Sequence, residues 1–249
     1  MAGHSKWAQI KRKKAVTDAR RGQLWTRLLR EVMVAARMGG GDPEGNARLR
    51  TAIQEARAKN VPNDNIERAV KKGTGELEGT NYEEIVYEGY GPGGVAVLVQ
   101  TMTDNRNRTV AELRHLFAKS GGNLGETGSV SWQFEHRGYF MIAPEAMAEE
   151  AFMDVAIELG ADDIEIGEDA YEIFTAPEAY GATLDELLAR EVALEANELG
   201  MIPKNLVKLE GKEASRVLTL MDALDELDDV QHAWANLDID AANLTADGG

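Results

Sequence analysis

The chain of 249 residues carries 27 Lys and Arg against 43 Asp and Glu, a formal charge of −16, with 43% hydrophobic residues and no cysteine. That composition supports buried cores in two or three domains and excludes a disulfide scaffold, a zinc-thiolate centre and a cysteine nucleophile. No run reaches the ~18 apolar residues of a membrane span and the start lacks the apolar stretch of a secretory signal, so a cytoplasmic protein without membrane contact is expected.

The charge is unevenly placed. Residues 1–75 hold 17 basic and 7 acidic side chains, a net of +10, and the remainder holds 10 basic and 36 acidic, a net of −26. Such asymmetry points to a segment that faces a polyanion. The opening MAGHSKWAQIKRKKAVTDARRGQLW concentrates it, placing Lys6, Lys11, Arg12, Lys13, Lys14, Arg20 and Arg21 around Trp7. Cations of this kind follow a phosphate backbone, and Trp7 offers a face for stacking on a base. The alternative is a solvated tail with Trp7 packed against the helices that follow.

From Asp18 to Met38, Leu24, Leu28, Val32, Ala35 and Ala36 recur at helical spacing, with Arg20, Arg27, Arg30 and Arg37 on roughly the opposite face. Three glycines and Pro43 end that helix. A second is expected from Pro43 or Glu44 to Lys59, with Leu49, Ile53 and Ala56 inward. In NVPNDNIERAVKKG, Asp64 and Glu67 have the spacing of a capping box, and Gly73 closes a third helix after Lys71 and Lys72, which add to the basic surface. Residues 1–78 read as a basic helical bundle.

Beyond a polar linker near 74–82 the period changes. VAVLVQTMT reads as a central strand, NRTVAELRHLFAKSGG as a helix with Val110, Leu113 and Phe117 inward, and SVSWQFE as a strand alternating Val130, Trp132 and Phe134. A second set follows: GYFMIA as strand, PEAMAEEAFMDVAIELG as helix, IEIG and YEIFTA as strands, TLDELLAREVALEANELG as helix. NLVKLEG, a helix from Glu213 to Leu227 and the strand VQHAWANL complete the chain. Strand, helix, strand, strand, helix, strand is the order of a ferredoxin-like layer. The expected fold is α+β: the helical bundle, then two ferredoxin-like α+β domains. The first, at 79–136, is completed by the C-terminal segment 204–240, and the second, acidic one occupies 137–203.

In TDNRNRTVAELRHLF, Arg106 and Arg108 stand where a strand meets a helix N-terminus, a place whose free N–H groups favour an anion. The competing reading is a polar turn in which Asp104 and Asn105 cap the helix and the arginines pair with local carboxylates. GYGPGG leads into a strand rather than out of one, and GGNLGETGS lacks the Lys-Ser/Thr of a phosphate-binding loop. The four histidines have no metal-ligand spacing and no nucleophile beside them. The chain is therefore expected not to be an enzyme, to need no cofactor and to take no small-molecule substrate.

MAGHSKWAQIKRKKAVTDARRGQLWTRLLREVMVAARMGGGDPEGNARLRTAI, VPNDNIERAVKKGTGE, YEGYGPGGVAVLVQTMTDNRNRTVAELRHLFAKSGGNLGETGSVSWQF and LMDALDELDDVQ closely resemble the YebC/PmpR family, from Met1 to about Asp240. The resemblance implies a helical N-terminal domain with two α+β domains, and a cytoplasmic, non-enzymatic protein. Members are described as transcriptional regulators, mitochondrial relatives as translational activators of cytochrome oxidase, and some look like ribosome-associated factors that relieve stalling at proline-rich stretches. Two functions are expected to share the phosphate chemistry of Lys6–Lys14, Arg20, Arg21, Lys71, Lys72, Arg106 and Arg108: a DNA-binding regulator of transcription, or an RNA- or ribosome-bound translation factor. Sequence alone does not separate DNA from ribosomal RNA as the partner.

Overall fold

The computed structural model of the protein describes residues 18–79 and 81–239. It opens with three helices, α1 (Asp18–Gly39), α2 (Ala47–Ala58) and α3 (Asn63–Gly73). Val32, Ala35 and Ala36 of α1 meet Leu49, Ala52 and Ala56 of α2 and Ile66 and Ala69 of α3 in one buried core. Leu24, expected inward, stays partly exposed. The small side chains bring α1 and α3 so close that a Cβ on Gly73 would collide with the carbonyl oxygen of Met33. Gly73→Ala is therefore expected to cost about 2 kcal/mol by prising the two helices apart, read as a lower denaturant midpoint with an unchanged slope.

The cap of α2 differs from expectation. Asn46 starts the helix, accepting from the Leu49 N–H, while its amide donates to the carbonyls of Ala35 and Gly40. One buried side chain thus satisfies the end of α1 and the start of α2, which is why the helix begins at Ala47 and not at Pro43. The capping box of Asp64 and Glu67 does not form, because the cap position is Pro62, which has no acceptor side chain, and Asp64 lies inside the first turn.

Two four-stranded antiparallel sheets follow. The first consists of β1 (Glu83–Tyr90), β2 (Ala96–Thr103), β3 (Asn123–Leu124) and β9 (Val230–Ala235), in the order β3-β1-β2-β9. Helices α4 (Arg106–Ser120) and α7 (Gly211–Asp225) cover one face, burying Leu113, Phe117, Val217, Leu220 and Leu224 against Val97 and Val99. The second sheet consists of β4 (Phe134–Ile142), β5 (Asp163–Ile166), β6 (Tyr171–Thr175) and β7 (Leu194–Pro203), in the order β5-β6-β4-β7. Helices α5 (Glu149–Glu158) and α6 (Tyr180–Ala189) pack on it through Phe152 and Leu187, against Phe140, Ile142 and Ile173. The second sheet has the ferredoxin-like order of strand, helix, strand, strand, helix, strand. In the first, β1 and β2 form a central hairpin before α4, and the last strand comes from the C-terminal segment, as expected. A short parallel pair, β8 (Val207–Leu209) with β10 (Leu237–Ile239), ties the returning chain together.

Two expectations are corrected. SVSWQFE is not a strand until Phe134: Ser131–Gln133 form a 3-10 turn with Trp132 exposed. The Glu88 carboxylate takes the N–H groups of Gly128, Val130 and Ser131, donors that a strand would offer to a neighbour. The second sheet accordingly spans 134–203. TLDELLAREVALEANELG is only half helix: α6 ends at Ala189, Glu191 turns left-handed with φ 56°, and β7 pairs with β4 along its whole length. Nine positions of ladder pairing outweigh the helix preference of Leu, Glu and Ala in that stretch.

Candidate nucleic-acid interface

The arginines of α1 do not all face solvent. Arg27 donates to the carbonyl of Asp225, Arg30 to that of Asp228, and Gln23 to that of Glu226 at 3.2 Å. The Arg30 guanidinium also lies 5.1 Å from the centre of the Tyr82 ring and 3.6 Å from the Asp229 carboxylate. On the other side of the bundle, Arg48 of α2 bridges Glu31 of α1 at 2.7 Å and Glu84 of β1 at 3.1 Å. The bundle is thus fastened to the first sheet domain by charged and polar groups, and the apolar cores of the two remain separate.

Asp229 is the node of this contact. It is 4% exposed and accepts from Arg108 at 2.7 Å, Thr109 at 2.8 Å and Thr103 at 3.1 Å. Burial alone would push its carboxyl up, but the hydrogen bonds from Arg108, Thr109 and Thr103 outweigh it and hold the group below its ordinary value. Asn105 caps α4 by accepting from the Arg108 N–H, and Asp104 pairs with the Arg108 guanidinium at 2.9 Å. The polar-turn reading therefore describes Arg108 well, whereas Arg106 is exposed beside the Tyr87 hydroxyl. A cleft of about 550 Å³ opens here between α1, α4 and the turn after α7, lined by Arg30 and Arg108 against Asp104, Glu112, Glu226, Asp228 and Asp229. With more carboxylates than guanidiniums, it joins two parts of the chain by charge pairing.

Of the remaining expected site residues, Lys6, Trp7, Lys11, Arg12, Lys13 and Lys14 lie outside the described residues, and Arg20 and Arg21 fall in the first turn of α1. Lys71 is exposed and Lys72 half-buried in the last turn of α3, where positive charge suits the helix dipole. The structure brings Arg108 to Arg30 through Asp229. The engagement of Arg27 and Arg30 is not legible from periodicity, which places both on the polar face of α1. Its one signal in the sequence is the acidic run DELDD at 225–229, opposite in sign to α1 but 198 residues away from it.

Residues 5–76 match the domain described as "TACO1/YebC protein N-terminal domain", and residues 82–237 match "TACO1/YebC second and third domain". The chain belongs to the TACO1/YebC family. The gap between the two matched stretches falls on the linker that precedes β1, and the second stretch ends within β10. A family relative from Pelotomaculum thermopropionicum, named "Probable transcriptional regulatory protein", is 55% identical over 96% of this chain and 100% of its own. One with the same description from Geobacter sulfurreducens is 52% identical over 98% of both chains. The crystal structure of a conserved hypothetical protein from Aquifex aeolicus shares 48% identity and superposes with a TM-score of 0.78 over 91% of this chain and 94% of that one. Among the described residues, no helix of this TACO1/YebC chain is long and apolar enough to cross a membrane.

Proposed function

We propose that the protein is a nucleic-acid-binding regulator of gene expression that docks on DNA through its basic N-terminal head. The observation that carries this reading is the charge split, +10 over residues 1–75 against −26 over the rest. The net charge of the body repels a polyanion, so the head is the main source of affinity, and phosphate contacts supply it without a dedicated base-reading helix. The name shared by the Pelotomaculum and Geobacter relatives supports a regulatory role. Lys6, Lys11–Lys14, Arg20, Arg21, Lys71 and Lys72 are the proposed phosphate contacts, with Trp7 stacking on a base and Arg106 adding to the same field.

Changing Lys11, Arg12, Lys13 and Lys14 together to Glu is expected to weaken binding to a labelled DNA duplex on the order of 100-fold at moderate salt, with an unchanged melting temperature. Fluorescence anisotropy over a salt series reads both affinity and slope. Binding equal to that of the unmodified chain defeats the proposal. Crosslinking in cells followed by sequencing identifies the partner: promoter DNA supports the transcriptional reading, and ribosomal RNA replaces it with the translational one.

A further inference from the structure

The body has its own concentration of positive charge. Beyond residue 75 acidic side chains outnumber basic ones 36 to 10, so a cation placed there at random finds a carboxylate nearby. Arg108, Arg137, Arg190, Lys204 and Lys208 do so, each within 4 Å of one. Among the described residues, Arg106 at the start of α4 is exposed beside the Tyr87 hydroxyl with no carboxylate pairing it, and Arg114 and Lys119 of α4 and Lys212 and Arg216 of α7 likewise are exposed and have no carboxylate pairing with them.

The topology puts the halves of the two helices that carry the last four of these side by side. Strand β3 is antiparallel to β1, which is antiparallel to β2, so β3 runs parallel to β2 and α4, which joins them, runs back against both. Helix α7 turns directly into β9, which is antiparallel to β2, so α7 runs opposite to α4 on the same core. The cleft agrees with this, since Arg108 and Glu112 at the start of α4 face Glu226 and Leu227 just past the end of α7. The second half of α4, with Arg114 and Lys119, therefore lies alongside the first half of α7, with Lys212 and Arg216. Each helix has 15 residues, a length of about 22 Å; at one end of the two-helix layer Arg108 is committed to Asp104 and Asp229, and the other end carries cations with no carboxylate partner.

We infer that the exposed α4–α7 face, through Arg114, Lys119, Lys212 and Arg216, is a second nucleic-acid contact surface that engages phosphates of the polyanion held by the head. This rests on the nucleic-acid reading above and adds to it a contact made by the acidic body. A polyanion approaching a body of net negative charge is repelled everywhere except where cations stand unpaired, and the adjoining halves of two antiparallel helices both carry such cations.

The test compares three versions of the full chain: unmodified, Arg114→Gln/Lys119→Gln/Lys212→Gln/Arg216→Gln, and a control, Arg137→Gln/Arg190→Gln/Lys204→Gln, that removes cations from around the second sheet. Binding to a labelled DNA duplex and to a single-stranded RNA is measured by anisotropy across a salt series. The face variant is expected to bind at least about 10-fold more weakly, with a salt slope smaller by about 2 to 4, at roughly 0.9 for each duplex phosphate that is no longer neutralised. The control is expected to match the unmodified chain, and Arg114→Lys/Arg216→Lys to keep the slope. If the unmodified chain binds and the face variant binds identically, the inference is overturned while the head reading stands. If the control weakens as much as the face variant, the effect is one of overall charge and the inference is likewise overturned. If the unmodified chain binds neither probe, both readings fall. Weaker binding by the face variant together with unchanged binding by the Lys11–Lys14 variant supports the face and overturns the head.

Discussion

Asp229→Ala is expected to lower the melting temperature by about 10 °C, equivalent to about 3 kcal/mol in a chain of this size. The carboxylate is buried and takes hydrogen bonds from Thr103, Thr109 and Arg108, with Arg30 beside it. Its removal takes the carboxylate acceptor from the buried Thr103 and Thr109 hydroxyls, of which Thr109 keeps the Asn105 carbonyl at 3.1 Å, and leaves two guanidiniums facing each other across a void. Arg108 is partly exposed, so water recovers some of the loss, which keeps the figure at the lower end for a broken buried pair. Asp229→Asn retains an acceptor for the threonines and is expected to lose about half as much. The carboxyl is held below its ordinary value in the folded chain, so its contribution is complete above the usual carboxylate range and disappears as pH falls through the lowered value. The same change loosens Arg30, and faster cleavage in the 74–82 linker under limited proteolysis is the second readout. An Asp229→Ala protein that melts with the unmodified chain removes Asp229 from its place as the node.

Periodicity carried most of the architecture. Val32, Ala35 and Ala36, Leu113 and Phe117, and Ile173 declare their faces locally, so helix and strand identities around them were legible. The failures share a cause. The segment from Leu194 to Gly200 has a helix former's composition, and only the partner strand Phe134–Ile142, more than fifty residues away, makes it a strand. The turn at Ser131–Gln133 hides behind an alternating pattern because its backbone donors go to Glu88, 40 residues or more upstream. The interface divides in the same way. Net charge is a sum over composition and was readable at once, whereas the commitment of Arg27, Arg30 and Arg108 to the Asp225–Asp229 turn depends on the third dimension. Arg114, Lys119, Lys212 and Arg216 were invisible for the opposite reason, being diluted among carboxylates in sequence and brought to adjoining helix halves only when α4 and α7 pack antiparallel.

Glu88→Ala is expected to cost about 4 kcal/mol, the largest effect of any single substitution argued for this chain. Glu88 is 4% exposed, and its two oxygens accept from the N–H groups of Gly128, Val130 and Ser131 at 2.7 to 2.8 Å. Removing it strands backbone donors at the start of a segment that buries Val130 and Phe134 against Leu98, so the contact between the two sheets loosens along with the loop. Burial would push the Glu88 carboxyl up, yet the backbone donors at Gly128, Val130 and Ser131 outweigh it and the group sits below its ordinary value. Its stabilisation is therefore present above the usual glutamate range and is lost as pH drops through the lowered value. Glu88→Gln separates charge from shape: one oxygen still accepts, while the amide NH2 is turned against a backbone donor. That variant is expected to be less stable than the unmodified chain at neutral pH, with the difference narrowing as acid protonates Glu88 in the latter. Amide exchange at Val130 and Ser131 should accelerate in both variants before exchange at Val97 and Val99 does. If the stability gap between the unmodified chain and the Glu88→Gln variant stays constant from pH 7 down to acid unfolding, the carboxylate does not act through its charge, and the loop is held by shape alone.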